Sequence, residues 1–317
     1  MAIIESHGLA REFRSRGKVV RAVDGVDFSI EAGEIVGFLG PNGAGKTTTV
    51  RMLTTLLRPT AGTASIAGCD LLAEPGQVRR QIGLVGQSGG TDMACLVAEE
   101  ILLQAGLYGL SAASSRQRTA TLLDQFDLGD LARRRVRTLS GGQRRRLDIA
   151  VGIAHEPRVL FLDEPTTGLD PQSRKNMWDH VRRLRREAGT TVFLTTHYLD
   201  EADVLCDRIL VIDHGRIVAE DTPESLKRRV SGDVLTITID GDPDVASALL
   251  TGLPGAREVA SLGDATLRLV TDHTDQTVID VITALRGAGI FVRGLQLTRP
   301  SLEDAFLTLT GDALRDG

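Results

Sequence analysis

A glycine-rich stretch that ends in lysine and threonine is the part of the sequence best suited to chemistry. Residues 40–47 read GPNGAGKT, which fits the spacing G-x-x-x-x-G-K-[ST] of a phosphate-binding loop. The glycines let backbone N–H groups turn towards an anion, and a helix that follows adds the positive end of its dipole. Lys46 would then reach the β- and γ-phosphates of a nucleotide, while the Thr47 hydroxyl would bind Mg²⁺. The residues predicted to contact nucleotide in this segment, here called the phosphate loop, are Gly40, Asn42, Gly43, Gly45, Lys46, Thr47 and Thr48.

The segments on either side of the phosphate loop have the order that such a loop requires. Residues 34–39 form the apolar run EIVGFL, which predicts a buried strand, and residues 47–57 (TTTVRMLTTLL) predict a helix. A strand, a glycine loop and a helix in succession are the geometry of the motif. A glycine-rich turn that matches by chance is the alternative, and this context argues against it.

A pair of acids provides a second element of nucleotide chemistry. Asp163 and Glu164 follow the apolar run VLFL at residues 159–162, which predicts a buried parallel strand. Asp163 at the end of this strand can hold Mg²⁺ through water. Glu164 is not needed for the metal and can polarise a water molecule beside the γ-phosphate, as a general base does. A solvated acidic turn is the alternative, and it is weak downstream of a phosphate loop.

A second anion site is predicted at residues 139–143, which read LSGGQ and are here called the signature segment. Gly141 and Gly142 would expose backbone N–H groups at the start of a helix, and Ser140 adds a hydroxyl. With this pentapeptide, and in the order of its motifs, the chain resembles the ATP-binding cassette family, the ATPase subunits of membrane transporters. The resemblance covers residues 1–228 and implies an α/β fold of the P-loop NTPase type.

The resemblance implies roles for four further positions. Gln87 fits the Q-loop, which senses the γ-phosphate and the permease, and residues 168–170 (GLD) fit the D-loop. His197 follows the strand VFLTT and fits the switch histidine, although taken alone it would be interpreted as a core histidine. Phe13 fits the aromatic position that stacks on adenine, where the family more often has tyrosine. The complete predicted site has Lys46, Gln87, Glu164 and His197 in catalysis, Phe13, Ser140, Gly142, Asp163 and the phosphate loop on the nucleotide, and Thr47, Gln87 and Asp163 on the metal.

Three stretches resemble the daunorubicin/doxorubicin resistance subgroup of this family. They are residues 163–171 (DEPTTGLDP), 144–148 (RRRLD) and 302–307 (LEDAFL). The resemblance implies ATP and Mg²⁺ as cofactors, and export of a hydrophobic small molecule through a separate permease at the cytoplasmic face of the membrane. It also implies an ATP-bound head-to-tail homodimer, in which the phosphate loop of one subunit faces the signature segment of the other. Pairing with a related ATPase stays open as an alternative.

Arginine clusters leave a cassette ATPase that acts on nucleic acid or the ribosome as the alternative function. They occur at residues 133–135, 144–146, 182–183 and 185–186. The net charge of −5 and an aromatic content of 3% argue against this alternative, because single-stranded nucleic acid is bound by basic grooves with stacking aromatics. The chain also has one cassette, whereas the ribosome-acting relatives carry two. We therefore expect these arginines on solvated helix faces and in docking contacts.

The remaining pattern predicts the fold and its division. Strands alternate with helices up to residue 228, which predicts a mainly parallel core with antiparallel strands at residues 3–30 and a helical insertion at about 90–155. Within that insertion, residues 96–131 have a helical pattern, with apolar residues at spacings of three and four. Residues 229–317 predict a small accessory domain with the ferredoxin-like order β-α-β-β-α-β and a final helix. No run approaches the roughly 18 apolar residues of a membrane span, so a chain soluble by itself is expected.

Overall fold

The computed structural model describes residues 2–15, 18–230, 233–263, 265–271, 274–298 and 301–310. The chain forms two compact units that divide between Asp221 and Thr222. Helix Pro223–Val230 therefore lies in the second unit. Within the described residues, no helix combines the length and the apolar character needed to cross a membrane.

The first unit consists of two sheets with helices between and around their strands. Its strands are β1 (Ala2–Ser15), β2 (Lys18–Glu31), β3 (Ile35–Leu39), β4 (Ala61–Ile66), β5 (Cys69–Asp70), β6 (Ile82–Val85), β7 (Val159–Asp163), β8 (Thr191–Thr196), β9 (Arg208–Asp213) and β10 (Arg216–Asp221). Its helices are α1 (Lys46–Leu53), α2 (Pro75–Gln81), α3 (Val97–Leu107), α4 (Ala112–Gln125), α5 (Gly141–Gly152), α6 (Pro171–Ala188) and α7 (Leu199–Leu205).

The core sheet of the first unit is mainly parallel, which confirms the predicted α/β fold. Its six strands have the order β10-β9-β3-β8-β7-β6, and every neighbouring pair except β9 and β10 is parallel. Every residue of β3, β7 and β8 is buried, as expected for the apolar runs of strands covered on both faces. The β9–β10 hairpin turns at His214 and Gly215, both with positive φ, as a two-residue type I′ hairpin turn requires.

The N-terminal antiparallel sheet packs against the core sheet through phenylalanine rings. Its strand order is β2-β1-β4-β5. Phe28 on β2 lies 6.3 Å from Phe38 and 6.1 Å from Phe193, measured between ring centroids, and Phe161 lies 5.5 Å from Phe193. These rings join β2 to β3, β7 and β8 in one apolar cluster. The cluster fixes the three core strands whose carboxyl ends carry the predicted site.

The helical insertion is less regular than its sequence pattern predicts. Residues 96–131 are mostly helical, as their pattern predicts, but they divide into α3, α4 and a 3₁₀ turn (Gly129–Leu131). Gly109 has a φ of 89°, in the left-handed region that ends helices. Ser111 then caps α4 by accepting a hydrogen bond from the Ser114 N–H, so a new helix starts within a few residues.

The second unit has the predicted ferredoxin-like topology. Its elements are α8 (Pro223–Val230), β11 (Asp233–Asp240), α9 (Pro243–Thr251), β12 (Ala256–Gly263), β13 (Thr266–Thr271), α10 (Thr274–Gly287), β14 (Phe291–Thr298) and α11 (Leu302–Thr310). The sheet order is β12-β13-β11-β14, with antiparallel neighbours throughout. Alternate residues of β11 face the helices, and Leu235 and Ile237 pack with Val281 and Leu285 of α10 in a separate apolar core.

Candidate functional site

The carboxyl ends of three neighbouring parallel strands bring the predicted catalytic groups together. β3 leads into the phosphate loop, Glu164 follows β7, and His197 follows β8. β8 lies between β3 and β7, so the three segments open at the same edge of the sheet. Ligands of parallel α/β sheets bind outside this edge.

Two glycines of the phosphate loop occupy positions where a side chain does not fit. A Cβ atom at Gly40 would lie 2.3 Å from the Ile212 carbonyl oxygen, and one at Gly45 would lie 2.4 Å from the Ala22 carbonyl oxygen. Gly45 also has a φ of 111° and precedes the first residue of α1. The close packing against β2 and β9 therefore dictates glycine here. At the loop tip Asn42 and Gly43 are exposed, and in the first turn of α1 Thr47 and Thr48 are half-buried.

The Lys46 ammonium lies at the centre of the site. Its side chain is 5% exposed, and Nζ donates to the Gly40 oxygen at 2.7 Å and to the Pro41 oxygen at 3.2 Å. Nζ also lies 3.6 Å from Glu164 Oε1. Burial lowers the pKa of Lys46, while the charges of Glu164 and Asp163 act in the opposite direction. The cation thus connects the phosphate loop to the acid that follows β7.

The predicted magnesium ligands Thr47 and Asp163 are in contact. Thr47 Oγ1 donates to Asp163 Oδ1 at 3.2 Å, and Thr195 Oγ1 donates to the same oxygen at 2.6 Å. A hydroxyl and a carboxylate that meet beside the phosphate loop are the oxygen ligands that Mg²⁺ prefers, so these residues fit the ion. Gln87 lies in an exposed turn after β6, and its amide forms no hydrogen bond with any residue that the structure describes. Among the described residues, the structure thus joins Thr47 to Asp163 but shows no hydrogen bond from Gln87 to either.

The Glu164 carboxylate lies between Lys46 and His197. Oε1 is 3.3 Å from His197 Nδ1, without the alignment of a hydrogen bond, and the Glu164 side chain is 10% exposed. The backbone of Glu164 has a φ of 48°, a left-handed conformation that costs an L-residue about 1–2 kcal/mol. Its N–H donates to the Thr195 carbonyl oxygen at 3.1 Å and to Thr195 Oγ1 at 3.0 Å. β8 therefore holds this residue in an unfavourable conformation.

The signature segment lies at the start of α5 and next to the predicted D-loop. Ser140 is exposed, caps α5 by accepting from the Gln143 N–H, and donates its own N–H to Gln143 Oε1. A Cβ atom at Gly142 would lie 2.7 Å from Ser173 Oγ. Ser173 in turn donates to Asp170, which caps α6, and these hydrogen bonds hold the pKa of Asp170 below its usual value. In the described residues of this single chain, no hydrogen bond joins the signature segment to the phosphate loop.

Phe13 stands on β1 with one face of its ring already covered. The side chain is 39% exposed, and the Arg11 guanidinium carbon lies 4.8 Å from its ring centroid. Phe13 pairs with Val20 on β2, the strand whose Ala22 carbonyl contacts the phosphate loop. The uncovered face is therefore the one that can receive a planar base.

Arg145 is a site residue that the sequence did not reveal. The expectation of solvated arginines is wrong here, because Arg145 is 7% exposed and donates to backbone oxygens on both sides of Glu164. Its neighbour Arg146 also turns inwards and donates to the Phe126 oxygen at 2.9 Å. The run of three arginines masks this difference, because nothing in the residue types separates a buried member from an exposed one.

Two family models match this chain. The model described as ABC transporter matches residues 23–167, a range that contains the phosphate loop, the signature segment and Glu164. The model described as ATP-binding protein DrrA1-3-like, C-terminal domain, matches residues 222–310.

Similar proteins extend these matches over nearly the whole chain. The chain is 45% identical over 315 residues to the daunorubicin/doxorubicin resistance ATP-binding protein DrrA of Streptomyces peucetius, covering 99% of this chain and 94% of that protein. It is 46% identical over 299 residues to the daunorubicin resistance ATP-binding protein DrrA3 of Streptomyces coeruleorubidus, covering 93% of each. Among solved structures it is similar to the dimeric ATP-binding cassette MJ0796 in a post-hydrolysis state bound to ADP and Pi, with a TM-score of 0.64 and 26% identity over 69% of this chain and 98% of that one. The chain therefore belongs to the ABC transporter family, as an ATP-binding subunit that hydrolyses ATP.

Proposed function

We propose that ATP is hydrolysed between the phosphate loop and Glu164, and that the reaction drives export of a hydrophobic small molecule through a separate membrane permease. The observation that carries the catalytic part is the convergence of two groups on one carboxylate oxygen. Lys46 Nζ lies 3.6 Å and His197 Nδ1 lies 3.3 Å from Glu164 Oε1. A base beside a cation that binds phosphate is suitably placed to activate water for attack on that phosphate.

Each group has a separate task in this proposal. The phosphate loop and Lys46 bind the β- and γ-phosphates, and the γ-phosphate competes with Glu164 for the ammonium. Thr47 and Asp163 hold Mg²⁺, which when bound neutralises charge on the phosphates. Glu164 then accepts a proton from the attacking water, while His197 keeps the carboxylate oriented. Gln87 lies on the exposed turn beside β7, where it can respond to nucleotide and permease.

The catalytic part is tested by Glu164→Gln. The amide keeps the shape of the side chain but cannot accept the proton, so we expect ATP affinity to remain and steady-state phosphate release to fall about 10²–10⁴-fold. Glu187→Gln, which removes an exposed carboxylate from α6, is the matched control and should keep full turnover. Near wild-type hydrolysis by Glu164→Gln would remove Glu164 from the proposed role.

The exposed signature segment supports a site shared between two copies of the chain. We propose that Ser140 and Gly142 bind the γ-phosphate of ATP held by the phosphate loop of the partner copy, in an ATP-bound head-to-tail homodimer. A two-fold axis then makes two equivalent sites from one surface. The solved dimer of a similar cassette with ADP and Pi supports this arrangement.

The transport part of the proposal rests on the relatives and on the internal use of the arginines. The relatives named for daunorubicin and doxorubicin resistance support export of a hydrophobic drug-like molecule from the cytoplasmic face of a membrane. Some of the clustered arginines form hydrogen bonds inside the chain. Arg182 donates to the Val204 oxygen, and Arg185 donates to the Gly33 oxygen and to Asp207. These contacts weaken the case for a nucleic-acid surface. Co-purification of the permease and stimulation of ATPase activity by hydrophobic drugs test this part, and stimulation by RNA instead would contradict it.

We also propose that the chain comprises a nucleotide-binding domain and a C-terminal accessory domain. The support is the separate apolar core around β11 and α10 and the family model that matches residues 222–310. Because all predicted site residues lie before this segment, the accessory domain has no direct part in hydrolysis.

A further inference from the structure

The Arg145 guanidinium joins helix α5 to two other segments of the site, the turn at Gly86 and residues 163–165. Arg145 lies in the second turn of α5, directly after the signature segment, and is 7% exposed. Nε donates to the Pro165 oxygen at 2.7 Å, and Nη1 donates to the Gly86 oxygen at 2.6 Å. Nη2 donates to the Asp163 oxygen at 3.2 Å and to the Glu164 oxygen at 3.4 Å.

These contacts use the planar fork of the guanidinium in a way that no other side chain can copy. All three of its nitrogen atoms donate, and together they reach four backbone oxygens on two different loops. A lysine has one compact ammonium and cannot span such a set of acceptors. Burial lowers the pKa of Arg145, while the carboxylates of Asp148, Glu201 and Asp163 act in the opposite direction.

The Glu164 backbone needs such support. Its φ of 48° is a strained conformation that persists only where neighbours enforce it. Thr195 on β8 binds the N–H of Glu164 from one side. Arg145 binds the carbonyl oxygens of Asp163, Glu164 and Pro165 from the other side. The strained residue is thus held at both of its peptide groups.

We propose that Arg145 is a positioning residue that fixes the backbone of Glu164 and connects it to the signature helix α5 and to Gly86, the residue before Gln87. The inference rests on the proposed function, in which Glu164 is the base. It adds that the orientation of this base depends on a side chain that never contacts ATP. Any shift of α5 or of the turn at Gly86 is transmitted to Glu164 through one guanidinium.

The test compares Arg145→Lys and Arg145→Gln with a control in the same helical region. Arg118 is another largely buried arginine, which donates to the Ile153 oxygen at the end of α5 and pairs with Glu156, so Arg118→Lys and Arg118→Gln are matched controls. Folding is followed through Trp178, the one tryptophan of the chain. Each folded variant is assayed for the kcat and KM of ATP hydrolysis and for the Kd of ADP by calorimetry.

We expect Arg145→Gln to lower kcat about 10- to 100-fold, the range expected for a misplaced catalytic group, and Arg145→Lys to lower it less. The Kd of ADP should change by less than about twofold, because ground-state contacts with the phosphate loop remain. The Arg118 variants should keep kcat. If Arg145→Gln does not fold, Arg145→Lys carries the test. A folded Arg145 variant with wild-type kcat, or with kcat and ADP affinity lost together, would overturn the inference.

A double-mutant cycle separates this inference from the proposed function. If Arg145 acts through Glu164, then Arg145→Lys in a Glu164→Gln background should lower the residual turnover by less than about twofold. If Arg145→Lys lowers turnover by the same factor with and without Glu164→Gln, then Arg145 acts independently of Glu164. That result would overturn the inference and leave the role of Glu164 intact. Undiminished turnover in Glu164→Gln alone would overturn the proposed function, and the inference with it.

Discussion

Replacement of Lys46 by alanine should weaken nucleotide binding about 100-fold. The Lys46 side chain is 5% exposed, so its charge acts in a site with little solvent screening. A hydrogen bond from a charged donor contributes about 1.5–3 kcal/mol, and Lys46 can donate to both the β- and the γ-phosphate. Taking the lower value for each contact gives about 3 kcal/mol, which corresponds to about 100-fold in Kd.

The measurement is a calorimetric titration of the purified variant with ATP. Lys175→Ala removes an exposed lysine from α6 and should leave the affinity unchanged, which controls for the loss of one positive charge. The Gly40 and Pro41 oxygens lose a donor in Lys46→Ala, so the Trp178 fluorescence spectrum must first show a native fold. Unchanged affinity in a folded Lys46→Ala variant would refute the placement of the ammonium on the phosphates.

Three further outcomes are expected. Phe13→Ala should weaken binding of adenine nucleotides by roughly 1–3 kcal/mol whereas Phe13→Tyr keeps the ring and should be nearly neutral; an equal loss in both variants would indicate a packing role. Burial lowers the pKa of His180 from 6.5 to about 4, so between these pH values the unfolded chain binds a proton that the folded chain does not. The free energy of unfolding, measured with urea, should therefore fall by about 2 kcal/mol as the pH is lowered from about 7 to about 5. His180→Gln should reduce this dependence of stability on pH, and an unchanged dependence would show that His180 is not its source. A chain truncated after Asp221, where the two compact units divide, should still bind ATP, whereas an aggregated product would show that the two units share one core.

The catalytic groups could be predicted from sequence because each follows a short apolar strand. In α/β proteins such strands pair in parallel, and their carboxyl ends meet at one edge. Because the phosphate loop, Glu164 and His197 each follow such a strand, we expect them to lie at the same edge of the sheet. The runs EIVGFL, VLFL and VFLTT appear as β3, β7 and β8 within one residue of the expected bounds.

Features that depend on tertiary contacts could not be predicted in this way. The turn between α3 and α4 is an exception, because Gly109 and Ser111 are local residues typical of a helix end and a helix start. Arg145 has the same residue type as its neighbours on both sides. Its role depends on carbonyl groups that fold around it from β6 and β7, and a sequence pattern does not contain them.

The shared ATP site is tested most directly by the mass of Glu164→Gln in solution, measured by light scattering with and without ATP and Mg²⁺. We predict a monomer of 34.0 kDa without nucleotide and a dimer with it, because ATP that is bound but not hydrolysed bridges the phosphate loop and the partner's signature segment. Adding Ser140→Arg should abolish the dimer and leave ATP binding at Lys46 intact. A double variant that still dimerises with ATP would contradict the shared site.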